Sequence, residues 1–184
     1  MRLNEQHRTT LRQIARASIQ HGLSHGCSLM VDPTQHQREL QGIGASFVTL
    51  KLYGQLRGCI GTLEASRPLV VDIAHNAFNA AFRDPRFSPV DHYETEELAL
   101  HISVLSAPEA FPVRDESELL QRLRPGVDGL ILAEGSRRGT FLPSVWEQLP
   151  EPGAFLAHLK LKAGLPADHW SSTLRVERYT VEAF

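Results

Sequence analysis

The 184-residue chain reads as an α+β protein, an antiparallel or mixed sheet with packed helices, and three features predict this class. Helical stripes and alternating runs are interspersed along the chain. Strand pairs joined by short turns outnumber regular βαβ crossovers, and neither an internal repeat nor a low-complexity block interrupts them. A chain of this length buries roughly 70% of the surface its unfolded form exposes, enough to hold residues 1–184 together as one domain, or as two small lobes sharing a core, without disulfides or a structural metal. Hydrophobic content of 42% and charged content of 22% are ordinary for a packed core.

The first helix follows from the apolar positions Leu3, Leu11, Ile14, Ala15 and Ile19, with Asn4 as its N-cap and Gly22 as a left-handed cap at its end. Residues 32–41, with Pro33 and several long polar side chains, are expected to form a mobile connection that carries no core. Residues 45–61 predict a hairpin of two β-rich runs around Gly54-Gln55, a pair suited to a type II′ turn. That turn would set Tyr53 opposite Leu56, Leu52 opposite Arg57 and Leu50 opposite Cys59, placing Cys59 on one face with Val48, Leu50 and Leu52. Gly58 is the position where a bulge would break this register.

Pro68 opens a second helix whose wide apolar face runs from Leu69 and Val70 through Ile73, Ala74, Ala77, Ala80 and Ala81. Asp72, His75, Asn76, Asn79 and Arg83 recur at three- and four-residue spacing, which aligns them as one polar stripe. Pro85 ends this helix, because the residue before a proline is pushed out of the helical region, and residues 84–89 form a rigid, proline-bounded loop. Leu98, Leu100, Ile102 and Val104 alternate with Ala99, His101 and Ser103 as a half-buried strand. A short helix over 115–123, a strand over 127–133, a turn into 140–142, a helix from Pro143 through Leu149 and a helix closed by Gly164 follow. Residues 174–183 alternate as one last strand.

Nineteen Lys and Arg against 21 Asp and Glu leave a net charge of −2. The basic pairs, among them Arg137 with Arg138 and Lys160 with Lys162, are scattered, so a general nucleic-acid coat is not expected, while a local pocket for a small anionic ligand is compatible with the charge. Two cysteines, Cys27 and Cys59, make no disulfide framework, and neither an apolar leader nor a run of roughly 20 apolar residues occurs, so a reduced, cytoplasmic setting without a membrane span is expected.

The segment Leu56-Arg57-Gly58-Cys59-Ile60-Gly61 resembles the hallmark hexapeptide of the AMMECR domain family. It is joined in order by His75-Asn76-Ala77, Ala80-Ala81-Phe82, Asp84-Pro85-Arg86-Phe87, Gly129-Leu130, Gly139, Leu142-Pro143 and Lys162-Ala163-Gly164-Leu165, so the resemblance runs over nearly the whole chain. It implies a compact α+β protein of two unequal lobes. In microbes it further implies association with a Memo-like protein and a radical SAM protein, in a modification pathway for which RNA is a suggested target. No cofactor comes with it.

Among individual residues, Cys59 is the candidate nucleophile, with Arg57 two residues away to favour its thiolate; the alternative is a small buried hydrophobe. Arg57 together with Asp84 and Arg86 would hold an anionic ligand, or would form an internal ion-pair network fixing the loop to the sheet. His75 and Asn79 offer a general base and a polar contact on the helical stripe, against a simple solvated face. HExxH and paired CxxC are absent, and His21, His25 and Cys27 straddle the expected end of the first helix, so no metal site is expected. Gly-rich phosphate loops and Gly-Xaa-Ser-Xaa-Gly are missing too, which leaves the chain as either a substrate-handling enzyme component or a non-catalytic scaffold or ligand-binding module.

Overall fold

A computed structural model describes residues 3–184, which form two antiparallel sheets and four α-helices. The chain divides into one unit of residues up to Ser106 with Glu182–Phe184, and a second over Ala107–Val181. No helix among the described residues is long and apolar enough to cross a membrane.

In the first unit, α1 (Glu5–His25) starts where Asn4 Oδ1 accepts the His7 N–H at 2.8 Å, while the Asn4 N–H donates to His7 Nδ1 at 3.4 Å. This reciprocal cap satisfies two donors that the first helical turn otherwise leaves open. The helix does not stop at Gly22. It continues one more turn to Gly26, whose φ of 68° is the left-handed cap, because Gly22 lies in the packed interior where any side chain would run into the rings of Phe78 and Phe82. The connection after it contains two 3-10 turns, Pro33–Gln35 and Arg38–Leu40, and it does carry core, since Leu40 is fully buried.

Strands β1 (Ile43–Leu52), β2 (Gln55–Gly61), β4 (Leu98–Leu105) and β9 (Val181–Ala183) lie in the order β2-β1-β4-β9, with β3 (Arg67–Pro68) paired to the start of β1. Helix α2 (Leu69–Phe82) ends before Pro85 as expected. Val48, Leu50 and Ile102 from the sheet and Leu11, Ile19, Val70, Ile73 and Ala77 from the helices make one core, each large side chain contributing roughly 2 kcal/mol by leaving water. Sequence alternation read β4 correctly, with Leu98, Ile102 and Val104 buried and Ala99 and His101 exposed.

The hairpin differs from expectation in two ways. Tyr53 and Gly54 are its two turn residues, with φ of 50° and 81°, so the turn is of the I′ kind and Leu52 pairs with Gln55. Arg57 is then an extra residue in β2: Lys51 pairs with Leu56 and Leu50 with Gly58, and beyond this bulge Thr49 faces Cys59. The Gly54-Gln55 turn and the Leu50–Cys59 pairing are thereby corrected.

The second unit carries β5 (Glu109–Ala110), α3 (Glu116–Arg122), β6 (Gly129–Glu134), β7 (Arg137–Phe141), α4 (Pro152–Lys162) and β8 (Arg175–Tyr179), with its sheet in the order β5-β8-β6-β7. Trp146 and Phe155 stack at 3.7 Å within a core that includes Leu130, Leu132 and Leu159. The helix expected from Pro143 is a five-residue 3-10 turn, and the last strand expected over 174–183 is broken at Thr180 into β8 and β9, which belong to different sheets.

Strand β2 lies against α2 at Gly58, where a Cβ would stand 2.0 Å from the Ala80 carbonyl oxygen. Backbone cannot yield as a side-chain tip can. Gly58→Ala is therefore expected to cost about 3 kcal/mol, the upper part of the range for overpacking, and to lower the urea midpoint at unchanged m-value.

Candidate functional site

The hexapeptide occupies β2, an edge strand of its sheet. Edge strands leave every second peptide group without a ladder partner. At Cys59 those groups are taken up by the loop after α2: the Cys59 N–H donates to Asp84 Oδ2 at 2.9 Å, and Arg86 Nη2 donates to the Cys59 carbonyl at 3.2 Å. Arg86 also holds the same carboxylate, from Nε to Oδ1 at 2.9 Å, from Nη2 to Oδ2 at 2.7 Å and from its own backbone N–H to Oδ1 at 3.1 Å. Asp84 and Arg86 thus imitate a neighbouring strand, one supplying the acceptor and the other the donor. Asp84 is buried while the Arg86 side chain remains half exposed.

Arg57 does not project toward an open ligand position. Its Nε and Nη2 grip Glu94 Oε1 and Oε2 at 2.7 and 2.9 Å, and its remaining hydrogens reach the carbonyls of Ser88 at 2.8 Å and Pro89 at 3.3 Å. The internal network, one of the two alternatives the residues left open, is what the geometry contains. Glu94 had no sequence signal, since it lies 37 positions from Arg57 in an acidic run that reads as solvated surface.

Cys59 lies on the sheet face opposite the core. The bulge places it across from Thr49, whose hydroxyl donates to Sγ at 3.2 Å, and Thr49 in turn pairs with His101 on β4. Cross-strand neighbours share a face, so a thiol, a hydroxyl and an imidazole stand in one row. The sulfur's residue is half-buried and His101 is exposed. This corrects the expectation that Cys59 packs among Val48, Leu50 and Leu52, which are core-facing or belong to the alternate face.

The polar stripe of α2 divides. Asp72 and Asn76 are buried and form a hub: Ser46 Oγ donates to Asp72 Oδ2 at 2.6 Å, Thr62 Oγ1 to Asp72 Oδ1 at 2.9 Å, and Asn76 Nδ2 to the Ser46 carbonyl at 3.0 Å. Arg67 approaches Asp72 at 3.5 Å. These groups tie the start of α2 to β1 and to the end of β2. His75 and Asn79 are half-buried and make no hydrogen bond to the Cys59 clamp. Burial, and next the Arg67 charge, hold the His75 imidazole below its ordinary titration range, with Asp72 pulling the other way.

The Arg86 hydrogen bonds, followed by those from the Cys59 and Arg86 amides, hold the Asp84 carboxyl well below the usual carboxylate range against the opposing effect of burial. Glu94 is lowered too, chiefly by Arg57. A carboxyl depressed in the folded state stabilises the fold above its unfolded pKa of about 4, and that contribution is lost as pH falls below this value. Asp84→Asn is expected to cost about 2 kcal/mol at pH 7, because the Cys59 amide meets an imperfect acceptor. Its urea midpoint should also fall less steeply than that of the parent between pH 4 and pH 2, as a denaturation series at three pH values will read.

Residues 12–184 match the family profile AMMECR1. A protein of Methanopyrus kandleri is 40% identical over 180 residues, covering 93% of this chain and 83% of its own length. One from Thermotoga maritima is 38% identical over 168 residues, with 90% and 91% covered. The crystal structure of an uncharacterized protein from Pyrococcus horikoshii superposes with a TM-score of 0.76 at 34% identity, covering 94% of this chain and 88% of that one. Motif order, fold and these likenesses agree, and the chain belongs to the AMMECR1 family.

Proposed function

We propose that the chain is a substrate-handling component of a modification pathway, RNA being one target class, and that the Cys59 thiol is the group that meets the substrate. The observation that carries this reading is the position of the sulfur: on the outer face of the sheet, half-buried, with its own peptide groups pinned by Asp84 and Arg86. A nucleophile benefits from a fixed backbone, because a positioned group gives up little freedom when it reacts. Arg86, half exposed beside the Cys59 carbonyl, is where an anionic portion of a small ligand would be met. Arg57 supports the site indirectly, by holding residues 88–94 in place.

A second reading, a non-catalytic scaffold, is favoured by the exposure of Tyr53 at the hairpin tip, 79%, and of Tyr93, 90%, next to the Glu94 that Arg57 grips. Exposed aromatics of this kind serve as anchors in interfaces. A Memo-like protein and a radical SAM protein are the partners proposed in either case.

Alkylation of the native chain with iodoacetamide at pH 7 tests the first reading. Cys59 is expected to label within roughly tenfold of its rate in the urea-unfolded chain, and Cys59→Ser, whose backbone clamp is unchanged, is expected to abolish pathway product in cells. A Cys59 protected until global unfolding, or full product from folded Cys59→Ser, removes it. The scaffold reading instead predicts that Cys59→Ser co-purifies normally with the Memo-like protein while Tyr53→Ala with Tyr93→Ala does not.

A further inference from the structure

Along one side of α1, Arg8, Arg12 and Arg16 recur every four residues. The first two are engaged: Arg8 donates to Glu182 at 2.7 Å and Arg12 to Glu5 at 3.3 Å, and both stand over the ring of Phe184. Arg16 continues the row, exposed, and its guanidinium has no hydrogen bond, ion pair or ring contact among the described residues. It borders a cleft of about 380 Å³ whose other wall is the approach to β4, at Thr95 and Glu96. The Glu96 carboxylate is likewise exposed and without a partner among the described residues, and it makes no ion pair with Arg16 across the gap. Ile19 and Leu98, both buried, and the half-buried Leu100 form the floor.

We propose that this cleft binds a small zwitterion with an aliphatic tail, the chemistry of a free hydrophobic α-amino acid. The two walls are of opposite polarity. On α1, the Arg16 guanidinium and, one turn on, the Gln20 amide offer N–H donors to a carboxylate. Opposite them the groups accept. The Thr95 hydroxyl donates its hydrogen to the His92 carbonyl at 2.8 Å, which leaves its oxygen lone pairs for an ammonium beside the Glu96 carboxylate. A simple carboxylate would be repelled by Glu96 and a simple amine by Arg16, so a molecule that carries both charges is the one that matches.

Size and rigidity agree with this occupant. The volume lies at the low end of the roughly 300–1,000 Å³ of small-molecule sites, and an apolar floor under a few convergent polar groups is their usual lining. The acceptor wall is also fixed in advance. Glu94, next to Thr95, is gripped by Arg57, and the Glu97 N–H closes a turn on the Glu94 carbonyl at 3.1 Å. A wall that is already ordered loses little freedom when a ligand arrives.

The test titrates the full, isotope-labelled chain with L-leucine at pH 7.5 and follows the backbone amides by NMR. Saturable shifts are expected at residues 16–20 and 95–100. Isocaproate, which lacks the ammonium, isoamylamine, which lacks the carboxylate, and glycine, which lacks the tail, should each bind at least about tenfold more weakly. Arg16→Gln and Glu96→Gln should each weaken leucine binding by at least about tenfold. Each should also alter selectivity: Glu96→Gln narrows the preference for leucine over isocaproate, and Arg16→Gln narrows the preference over isoamylamine. Neither side chain has a partner to lose, so both variants should keep the urea midpoint of the parent. Cys59→Ser should bind leucine as the parent does, which separates this cleft from the site proposed above. Absence of saturable shifts with millimolar leucine, binding of isocaproate or isoamylamine as tight as that of leucine, or full affinity in either folded variant overturns the site.

Discussion

The geometry around Cys59 depends on how an edge strand is finished. β2 has a ladder partner on one side only, and on the other the carboxylate of Asp84 and the guanidinium of Arg86 serve the peptide groups of Cys59. A charged acceptor and a charged donor make stronger hydrogen bonds than a neutral strand would. They also occupy the positions where another chain could add itself to the sheet. Arg57 performs a similar service one step along, fixing the carbonyls of Ser88 and Pro89 and the carboxylate of Glu94. The loop between α2 and β4 is thereby fastened to β2 at two points, and the charges that looked like ligand-binding groups are largely consumed in doing so.

The sulfur lies outside these two charged clamps, accepting only from the Thr49 hydroxyl, and its placement turns on one residue. The two-residue turn at Tyr53-Gly54, taken alone, would set Cys59 opposite Val48 and so into the core. The bulge at Arg57 shifts it opposite Thr49. A shift of one residue exchanges the faces of a strand, so the bulge is the difference between a packing cysteine and one that faces outward. Gly58 is pressed to the Ala80 carbonyl directly after the bulge, which accounts for a glycine at that place in the hexapeptide.

The elements that the sequence made legible were those governed by local periodicity and capping: Asn4 at the start of α1, the apolar face of α2, its end before Pro85, and the alternation of β4. Those it concealed depend on partners distant in sequence. Gly22 reads as a helix cap until Phe78 and Phe82 are found packed against it, and Leu40 reads as a loop residue until the core closes over it. Periodicity aligns Asp72 and Asn76 with His75 but does not say that Ser46 and Thr62 wait opposite, converting two apparent surface residues into the most buried polar group of the helix. The break at Thr180 is hidden for the same reason, because β8 and β9 continue one alternating pattern while answering to different sheets.

The same correction that lengthens α1 bears on its chemistry. With Gly22 as the cap, Gln20 would stand in the last turn of the helix, where ends fray. Because Gly22 is held inside the packing of α1 on α2, the helix must run a further turn, and the left-handed residue falls to Gly26. That single displacement leaves Arg16 and Gln20 more than a turn inside the helix. Interior packing at Phe78 and Phe82 thus decides how firmly the donor wall on α1 is held, in the way that the bulge at Arg57 decides which face receives Cys59. In both places the chemistry follows from a backbone position chosen by steric fit, and neither could be read from residue spacing alone.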